Sequence, residues 1–409
     1  MAKEYKDLVV GLDIGTSKVM AVVAEILPSG EPKLAGLGIA RSEGIKRGVV
    51  VNIDATVQSI QLALKEAELM ADCKISRVYT GITGSHVRGV NSSGMVAIKD
   101  KEVTPTDVAR VIETAKAVNI PNDQRLLLVE PQEFVIDGQD VREPIGMSGI
   151  RLEVKVHIVT GAQSAAENII KCVRRCGLEV EQLVLNPLAS ATSVLTDDEK
   201  ELGVAVVDIG AGTTDVAIFT SGAIRHTAVI PIAGDLITSD IAMALHTPTR
   251  DAEQIKVESG YAKQLLADPN DQIEVPGLGD RQPRMLGRQA LAGVIEPRVE
   301  EIYALVQQAI RESGYEELLS SGIVLTGGAA EMPGMIELAE DIFLKPVRRG
   351  VPMYSRAMAD MVSRPQAATV MGLINEAGLA RMRGHKVAVK AGSMKNFFGK
   401  MKDWFVKSF

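Results

Sequence analysis

The fold is decided by a stretch that occurs twice, as LVVGLDIGTSKVMAVVAEI at residues 8–26 and as GVAVVDIGAGTTDVAIF at residues 203–219. In each copy an apolar strand runs into Asp-Ile-Gly, a turn of small residues follows, and a second apolar strand returns. One copy alone would indicate only a hairpin. Backbone N–H groups in such turns can surround an anion, and a carboxylate at the strand end can hold a cation through water. The pair therefore predicts a duplicated α/β module with two phosphate loops.

A third element, GIVLTGGAAEMPGM at residues 322–335, predicts a strand, a glycine turn and a helix. Tight glycine turns at a strand end allow a base and ribose to approach closely. In DAEQIKVESG at residues 251–260, the spacing places Glu253 and Lys256 on one helical face. From the residues alone, this pair is either a surface ion pair or part of a binding site.

Taken in this order, the three motifs resemble the actin/Hsp70/sugar-kinase ATPase superfamily. The resemblance implies an ATP site in which Asp13 and Asp208 hold Mg²⁺ through water. Two phosphate loops would grip the nucleotide from both sides, and they consist of Gly15, Thr16, Ser17 and Lys18 and of Gly210, Ala211, Gly212, Thr213 and Thr214. The adenosine would be surrounded by Glu253, Lys256, Gly327, Gly328 and Ala329.

One residue departs from the commoner Asp-x-Gly-Gly-Gly pattern of the superfamily. Ala211 stands in the second loop, and because its Cβ is small we expect nucleotide binding to survive. Hydrolysis also needs a base within hydrogen-bond reach of a water molecule. The sequence assigns no catalytic residue, since Asp208 and Thr213 are candidates by position only. We therefore expect ATP binding with at most slow hydrolysis.

The segment inserted at residues 84–161 selects among the members of the superfamily. It contains a predicted helix, TPTDVARVIETAKAV, with Thr104 as N-cap, Pro105 in the first turn and Asp107 near the helix dipole. Two predicted strands, LLLVEPQEFVID and GIRLEVKVHIVT, follow. This small α+β module differs from the Hsp70 insertion. Together with GITGSHVRGVNSSGMV, IPIAGDLITSDIAMAL and GRQALAGVIEPRVEEI, it resembles the FtsA family of bacterial cell-division proteins over nearly the whole chain.

This resemblance implies a division of the chain into six parts. They are subdomain 1A at 1–83 and 162–195, the inserted subdomain 1C at 84–161, subdomain 2A at 196–226 and 307–375, subdomain 2B at 227–306, a flexible linker at 376–393 and a C-terminal amphipathic helix at 394–409. The linker also follows from composition, because 376–393 has no sustained period and contains three glycines.

The resemblance also implies partners. Members of the family form actin-like filaments and dock a C-terminal peptide of the tubulin-like division protein FtsZ on subdomain 2B. In VIEPRVEEI, Arg298 and Glu301 match positions of that docking surface, although an exposed ion pair is the plainer interpretation. Later division proteins would contact the insert. The expected location is the cytoplasmic face of the inner membrane at the division site.

Composition points to the membrane independently of any family. The net charge is −7, yet residues 381–407 hold eight Lys or Arg against Asp403 alone, so this segment is +7 and the rest −14. The last thirteen residues also contain the only Trp and four of the seven Phe. The start of the chain has no signal-peptide layout, and no apolar run approaches the ~20 residues of a membrane span. Such a tail predicts an acidic partner.

The periodicity of the tail favours a helix that lies in a membrane interface. At about 100° per residue its bulky apolar side chains fall within roughly 140°, and Val406 lies outside this arc. The arc consists of Met394, Phe397, Phe398, Met401, Trp404, Phe405 and Phe409, and it is bordered by Lys395 and Lys402 on one side, with Lys400 and Lys407 beyond the other. Anionic lipid is the expected partner.

Several other interpretations remain open from the sequence. The tail could dock on the body or bind a partner protein as a calmodulin-type ligand. The chain could be a pilus-assembly ATPase, or an Hsp70-like or sugar-kinase-type enzyme, although only about 75 residues follow the adenosine loop. A nucleic-acid partner would explain the lysines but not so bulky an apolar arc, so we expect none. A zinc site at Cys172 and Cys176 would need further ligands, which the sequence does not supply.

Overall fold

The structure, a computed structural model, describes residues 8–279 and 281–390, with side chains given to Met382 in the last helix. The first part of the chain forms β1 (Leu8–Ile14), β2 (Lys18–Ile26), β3 (Pro32–Arg41), β4 (Ile45–Lys46), β5 (Val49–Val50), α1 (Ile53–Ala71) and β6 (Arg77–Ile82). The insert forms β7 (Arg88–Ala97), α2 (Pro105–Ala115), β8 (Gln124–Ile136), β9 (Gln139–Val141) and β10 (Arg151–Ala162). The chain then continues through α3 (Gln163–Arg175), β11 (Glu179–Leu185), α4 (Asn186–Val194) and α5 (Asp197–Leu202).

The rest of the chain repeats the pattern of the first part around a second set of strands. It forms β12 (Val204–Ile209), β13 (Thr214–Thr220), β14 (Ala223–Ile230), α6 (Gly234–Leu245), α7 (Thr249–Ser259), β15 (Gln272–Val275), β16 (Arg284–Gly287), α8 (Arg288–Ser313), β17 (Ile323–Thr326), α9 (Met335–Phe343), β18 (Val347–Arg349), α10 (Ala359–Val362) and α11 (Ala368–Lys390). Among the described residues, none of these helices combines the length and the apolar character that a membrane crossing requires.

Two five-stranded sheets have the same topology, which confirms the predicted duplication. The first sheet has the order β3-β2-β1-β6-β11 and the second sheet the order β14-β13-β12-β17-β18. In each, the first three strands are antiparallel and the last three are parallel. In both sheets a phosphate hairpin therefore supplies the central strand and its antiparallel neighbour, and the two hairpin turns occupy equivalent positions.

Apolar side chains on both faces explain why the central strands read as near-continuous hydrophobic runs. In β2, Val19 and Ala21 pack with α1 and α3 on one face, whereas Met20 and Val22 pack with α11 on the other. In β12, Val207 packs with α6 and α8, whereas Val206 packs with α4 on the opposite face. Helices α4 and α11 thus lie between the two sheets and pack against each other, with a Cβ on Gly372 of α11 only 1.7 Å from the carbonyl oxygen of Ala189 in α4.

The insert forms its own sheet, in the order β7-β10-β8-β9, with α2 packed against it. Thr104 caps α2 as predicted, because its hydroxyl accepts from the backbone N–H of Asp107 and the Asp107 carboxylate accepts from that of Thr104. The buried faces of β10 and α2 form one apolar cluster that includes Val111, Val154 and Ile158. The insert is therefore a small α+β unit with its own core.

A buried polar network joins the insert to strand β14 of the second sheet. His157 contacts Thr227 Oγ1 through Nε2 at 2.9 Å and Asn91 Oδ1 through Nδ1 at 2.7 Å. Gln132 donates to the carbonyl of Ile224 at 2.9 Å. Burial lowers the pKa of His157 to about 3, so the ring is neutral at pH 7. In the sequence, the insert thus lies between two segments of the first half, but its side chains are hydrogen-bonded to the second half.

The expectation of a flexible linker at 376–393 is wrong for residues 376–390, which continue α11 without a break. Ala377 is fully buried, and Arg381 forms an ion pair with Glu181 at 3.5 Å. Gly378 lies so close to the strand end that a Cβ there would be 3.2 Å from the carbonyl oxygen of Gly30. The absence of a side chain at position 378 therefore allows the helix to pack closely and does not make the segment flexible. Composition alone cannot distinguish these two reasons for a glycine. Residues 391–393 and the tail at 394–409 lie outside the described residues.

Candidate functional site

The two hairpin turns and the adenosine loop meet in one pocket between the halves of the molecule. All the residues predicted to bind ATP or Mg²⁺ line it, apart from Thr214. The pocket also contains residues that sequence reasoning did not assign, namely Asn186, Asp215, Gly234, Val257, Glu331, Pro365, Gln366 and Thr369. The structure thus brings together segments that lie more than 300 positions apart in the chain.

Both predicted phosphate loops are closed in the same way. In the first, the N–H of Gly15 donates to the carbonyl of Lys18 at 3.0 Å, and in the second, the N–H of Gly210 donates to the carbonyl of Thr213 at 3.0 Å. The second loop is also fixed from outside, because the N–H of Asp235 at the start of α6 donates to the carbonyl of Ala211 at 2.8 Å. Each turn is therefore held by main-chain bonds that do not depend on its side chains.

Thr214 is the predicted loop residue whose side chain faces away from the pocket. Its hydroxyl donates to the carbonyl of Ile232 at 2.8 Å, and the residue is fully buried. Successive side chains of a strand point to opposite faces, so Thr213 and Asp215 face the pocket while Thr214 cannot. The same alternation, applied to the sequence, would have excluded Thr214 and selected Asp215.

Three carboxyl groups converge at the floor of the pocket. Burial raises the pKa of Asp13 to about 6, with a smaller upward contribution from Asp208 and an opposing one from Lys18. Burial likewise raises the pKa of Asp208, against the hydrogen bonds it accepts from Ser190 at 2.5 Å and Thr369 at 3.2 Å. The nearby charge of Asp208 also raises the pKa of Asp13 and of the third carboxyl group, Asp215. Within the described residues, these groups do not form a set of three side chains that could hold a metal ion by themselves, so a cation here would need water or phosphate oxygens as further ligands.

The third carboxyl group, Asp215, spans the gap between the two halves. It accepts a hydrogen bond from Thr83 at 2.6 Å, and Thr83 follows β6 of the first sheet. Burial raises the pKa of Asp215 well above its usual range, and Asp208 adds to the effect. On β13, Asp215 is the cross-strand partner of Asp208 on β12. The second phosphate hairpin therefore carries a carboxyl group on each of its strands.

Two pocket atoms are buried without a hydrogen-bond partner in the described part of the chain. They are Oδ1 of Asn186, at the start of α4, and Oε1 of Glu331, beyond the adenosine loop. A buried polar atom without a partner is costly, which is consistent with a ligand that supplies the missing bond. Asn186 lies outside the three motifs, whereas Glu331 lies within the motif at 322–335, at a position to which the glycine turn assigns no role.

Gly327 has φ +85° and lies beside the carboxyl groups, because a Cβ there would be 2.3 Å from Oδ1 of Asp208 and 2.5 Å from the carbonyl oxygen of Ile209. Only glycine fits this turn without strain. Lys256 forms an ion pair with Glu253 at 2.6 Å and donates to Thr238 Oγ1 at 2.9 Å and to the carbonyl of Gly234 at 3.2 Å. The predicted pair is thus both an ion pair on one helix and a wall of the pocket.

The predicted partner-binding residues Arg298 and Glu301 lie on α8, away from the pocket lining. Arg298 pairs with both carboxylate oxygens of Asp240 on α6, at 2.6 and 3.1 Å, and also pairs with Glu301. The bond to Asp240 is the main reason that the pKa of Arg298 is raised above its usual value. About a quarter of the Arg298 side chain and half of the Glu301 side chain remain exposed. The predicted membrane residues all lie outside the described part of the chain.

Comparison with solved structures shows the fold. The chain is similar to the PilM–PilN type IV pilus biogenesis complex, with a TM-score of 0.65 and 18% identity over 91% of this chain and 98% of the other. It is also similar to MreB5 of Spiroplasma citri bound to AMPPNP, with a TM-score of 0.56 and 16% identity over 94% of this chain and 100% of the other. These likenesses confirm the predicted actin-like ATPase fold.

Comparison of sequences shows the family. The model of cell division protein FtsA matches residues 205–372, and the model of the SHS2 domain inserted in FtsA matches residues 84–160. The cell division protein FtsA of Pseudomonas aeruginosa is 58% identical over 90% of this chain and 88% of its own length. That of Escherichia coli K12 is 44% identical over 99% of both chains. The chain therefore belongs to the FtsA family of cell division proteins.

Proposed function

We propose that this protein binds Mg·ATP, assembles into actin-like filaments on the cytoplasmic face of the inner membrane, and ties the FtsZ ring to that membrane through its C-terminal helix. The observation that carries the proposal is the meeting of both phosphate loops and their buried carboxylates in one pocket. The subdomain boundaries given above, apart from the linker, are part of the proposal. Two similar sheets and a separate insert sheet support them.

The pocket fits the proposed ligands. Asp13 and Asp208 supply hard oxygen ligands of the kind that Mg²⁺ prefers, either directly or through water. Glycines in both loops leave main-chain N–H groups accessible to phosphate oxygens, and Lys18 lies among Asp13, Asp208 and Glu331. The unpartnered oxygens of Asn186 and Glu331 add polar sites at the walls. The bound metal would screen the repulsion between carboxylates and phosphates.

Nucleotide binding is better supported than rapid ATP hydrolysis. Asp208 accepts hydrogen bonds from two hydroxyl groups, and Asp215 accepts one from Thr83. Both carboxylates are therefore already hydrogen-bonded, and neither is free to act as a general base. We therefore retain the proposal of slow hydrolysis at most, in which the nucleotide biases assembly by favouring one arrangement of the two halves.

Recruitment to lipid tests the central proposal. Vesicles that contain anionic lipid would be mixed with FtsZ and either the full-length protein or a form that ends at residue 390, with Mg·ATP present. Full-length protein should carry FtsZ to the floating fraction, whereas the shortened form should leave it behind. FtsZ that floats equally with both proteins would contradict tethering through the tail. FtsZ that floats with neither, although the full-length protein itself floats, would contradict FtsZ binding.

A prediction about the docking surface follows from the position of Arg298. We expect Arg298→Glu to weaken binding of an FtsZ C-terminal peptide at least about tenfold, or roughly 1.4 kcal/mol, because it reverses charge on the proposed surface. Fluorescence anisotropy with a labelled peptide measures this. Since the change also breaks the pair with Asp240, the unfolding midpoint must be recorded as well.

The same helix offers a matched control. Arg311 lies on α8 and pairs with Glu316 at 3.4 Å, and its side chain is more exposed than that of Arg298. The two positions are thirteen residues apart, about 20 Å along a helix. Arg311→Glu should leave peptide binding unchanged. Equal losses in both variants would indicate a general charge effect and would exclude a specific role for Arg298.

A further inference from the structure

The small hairpin β4–β5 has an unusual tip. Its two turn residues, Arg47 and Gly48, both have positive φ values, of 49° and 76°. This is the pattern of a type I′ turn, which usually has Asn, Asp or Gly at the first of these positions. A long, charged residue therefore occupies a place where the backbone does not favour it. Its guanidinium group is exposed and forms no hydrogen bond or ion pair with the part of the chain that is described.

The tip lies against both phosphate loops. The N–H of Gly48 donates to Thr16 Oγ1 of the first loop at 3.2 Å. In the second loop, a Cβ on Gly212 would lie 2.9 Å from Cα of Arg47 and 3.0 Å from its nitrogen. Only a residue without a side chain permits this approach at position 212. A hairpin from the first half thus packs against the predicted phosphate loops of both halves, next to residues that line the pocket.

The contacts of the tip are with the two predicted phosphate loops and with Thr83. A Cβ on Gly48 would be 2.9 Å from the methyl group of Thr83 and 3.3 Å from that of Thr213. Together with Thr16 and Gly212, these residues belong to the two loops or adjoin them. In the proposed nucleotide site, a triphosphate held between the loops would therefore bring phosphate oxygens to the side on which the tip lies.

Even with Mg²⁺ bound as proposed, the acidic side chains of the pocket and a triphosphate carry more charge than its lysines offset. Five carboxyl groups line it against two lysines, and these carboxyl groups belong to Asp13, Asp208, Asp215, Glu253 and Glu331. Both lysines are already engaged: Lys256 is bonded to α6 and Glu253, and Lys18 lies among three of the carboxylates. A third phosphate brings additional negative charge to this acidic site. A guanidinium group carries five donors and binds phosphate oxygens in pairs.

We propose that Arg47 determines specificity for the nucleotide state by contacting the terminal phosphate of ATP. This inference rests on the proposed nucleotide site. ADP lacks the phosphate that Arg47 would bind, so the side chain distinguishes ATP from ADP. Because the tip also touches Gly212, the same contact links the first half of the molecule to the loop of the second when ATP is bound.

Calorimetry with Mg²⁺ and either ADP or the non-hydrolysable triphosphate AMPPNP tests the inference. Arg47→Gln leaves a shorter, uncharged polar side chain, and we expect AMPPNP affinity to fall about tenfold while ADP affinity stays within about twofold. Arg47→Lys should show an intermediate loss. Lys46→Gln removes a charge from the same hairpin, at an exposed residue whose side chain also forms no hydrogen bond or ion pair within the described part of the chain, and should change neither affinity.

The outcomes separate this inference from the proposed function. If the wild type binds neither nucleotide, the proposed function fails. If it binds both, and Arg47→Gln leaves the ratio of the two affinities unchanged, only the role of Arg47 fails. Equal losses for both nucleotides would mean that the hairpin merely supports the loops. Gly212→Ala gives a second test, because it should displace the tip and lower AMPPNP affinity more than ADP affinity even with Arg47 present.

Discussion

Asp208→Asn is expected to weaken Mg·ATP binding about a hundredfold, or roughly 2.8 kcal/mol. The change removes half of the anionic environment that Asp13 and Asp208 offer to the metal. It should leave the fold intact, because an amide oxygen can still accept the hydrogen bonds that Ser190 and Thr369 donate. Calorimetry with the purified variant measures the affinity. An unchanged value would mean that the metal site is misassigned.

Chelation of the metal provides the control for this prediction. Without Mg²⁺, the carboxylate of Asp208 repels the phosphates, so the asparagine variant should bind ATP as well as the wild type does, or better. Loss of affinity in Mg²⁺ combined with no loss in a chelator is specific for a metal-binding role. Equal losses under both conditions would instead show that Asp208 supports the loop through its hydrogen bonds and does not serve the metal.

The two hairpin turns of the site could be predicted from the sequence because each is encoded by one short, continuous motif. Each hairpin encodes its own strands, turn and carboxylate within about twenty residues, and the repeat predicts that two such hairpins are related. The register of β1 with β2 and of β12 with β13 follows from the turns that join them. Asp215 could also be predicted from the sequence, because alternation along β13 places its side chain on the pocket side together with that of Thr213.

The rest of the site depends on contacts between distant segments, which no motif records. The pairing of Arg298 with Asp240 joins two helices, and the approach of Arg47 to Gly212 joins the two halves. The error at 376–390 has the same origin. Glycines in this segment predict flexibility, but Gly378 packs closely against the carbonyl oxygen of Gly30, a contact that only the folded chain reveals.

Trp404→Glu is expected to release the protein from anionic vesicles, with a loss of about a hundredfold or more in apparent affinity. The change removes the apolar transfer energy of a large side chain, roughly 2–3 kcal/mol, and adds the cost of burying or displacing a carboxylate. A tail held only by its lysines would lose far less, about 1 kcal/mol per unit of charge. ATP binding should not change, because the pocket is built from residues 13 to 369.

Val406→Glu is the matched control for Trp404→Glu. It introduces the same charge two residues away, at a position that the helical periodicity places outside the apolar arc. Flotation with vesicles should therefore show strong binding for the wild type, slightly weaker binding for Val406→Glu and little binding for Trp404→Glu. Similar losses in both variants would reduce the effect to net charge, and a Trp404→Glu protein that still floats would contradict an interfacial helix.

Deletion of residues 394–409 separates the membrane helix from a helix that docks on the body. If the tail binds lipid, the deletion should abolish flotation and leave the unfolding midpoint unchanged, because α11 is already anchored before the tail begins. That anchoring comes from the buried Ala377 and from the ion pair of Arg381 with Glu181. If the tail instead covers an apolar surface of the body, its removal exposes that surface and should lower the midpoint by several degrees, at about 2–4 °C per kcal/mol for a domain of roughly 200 residues. A lowered midpoint would thus support the docked helix even if flotation is lost.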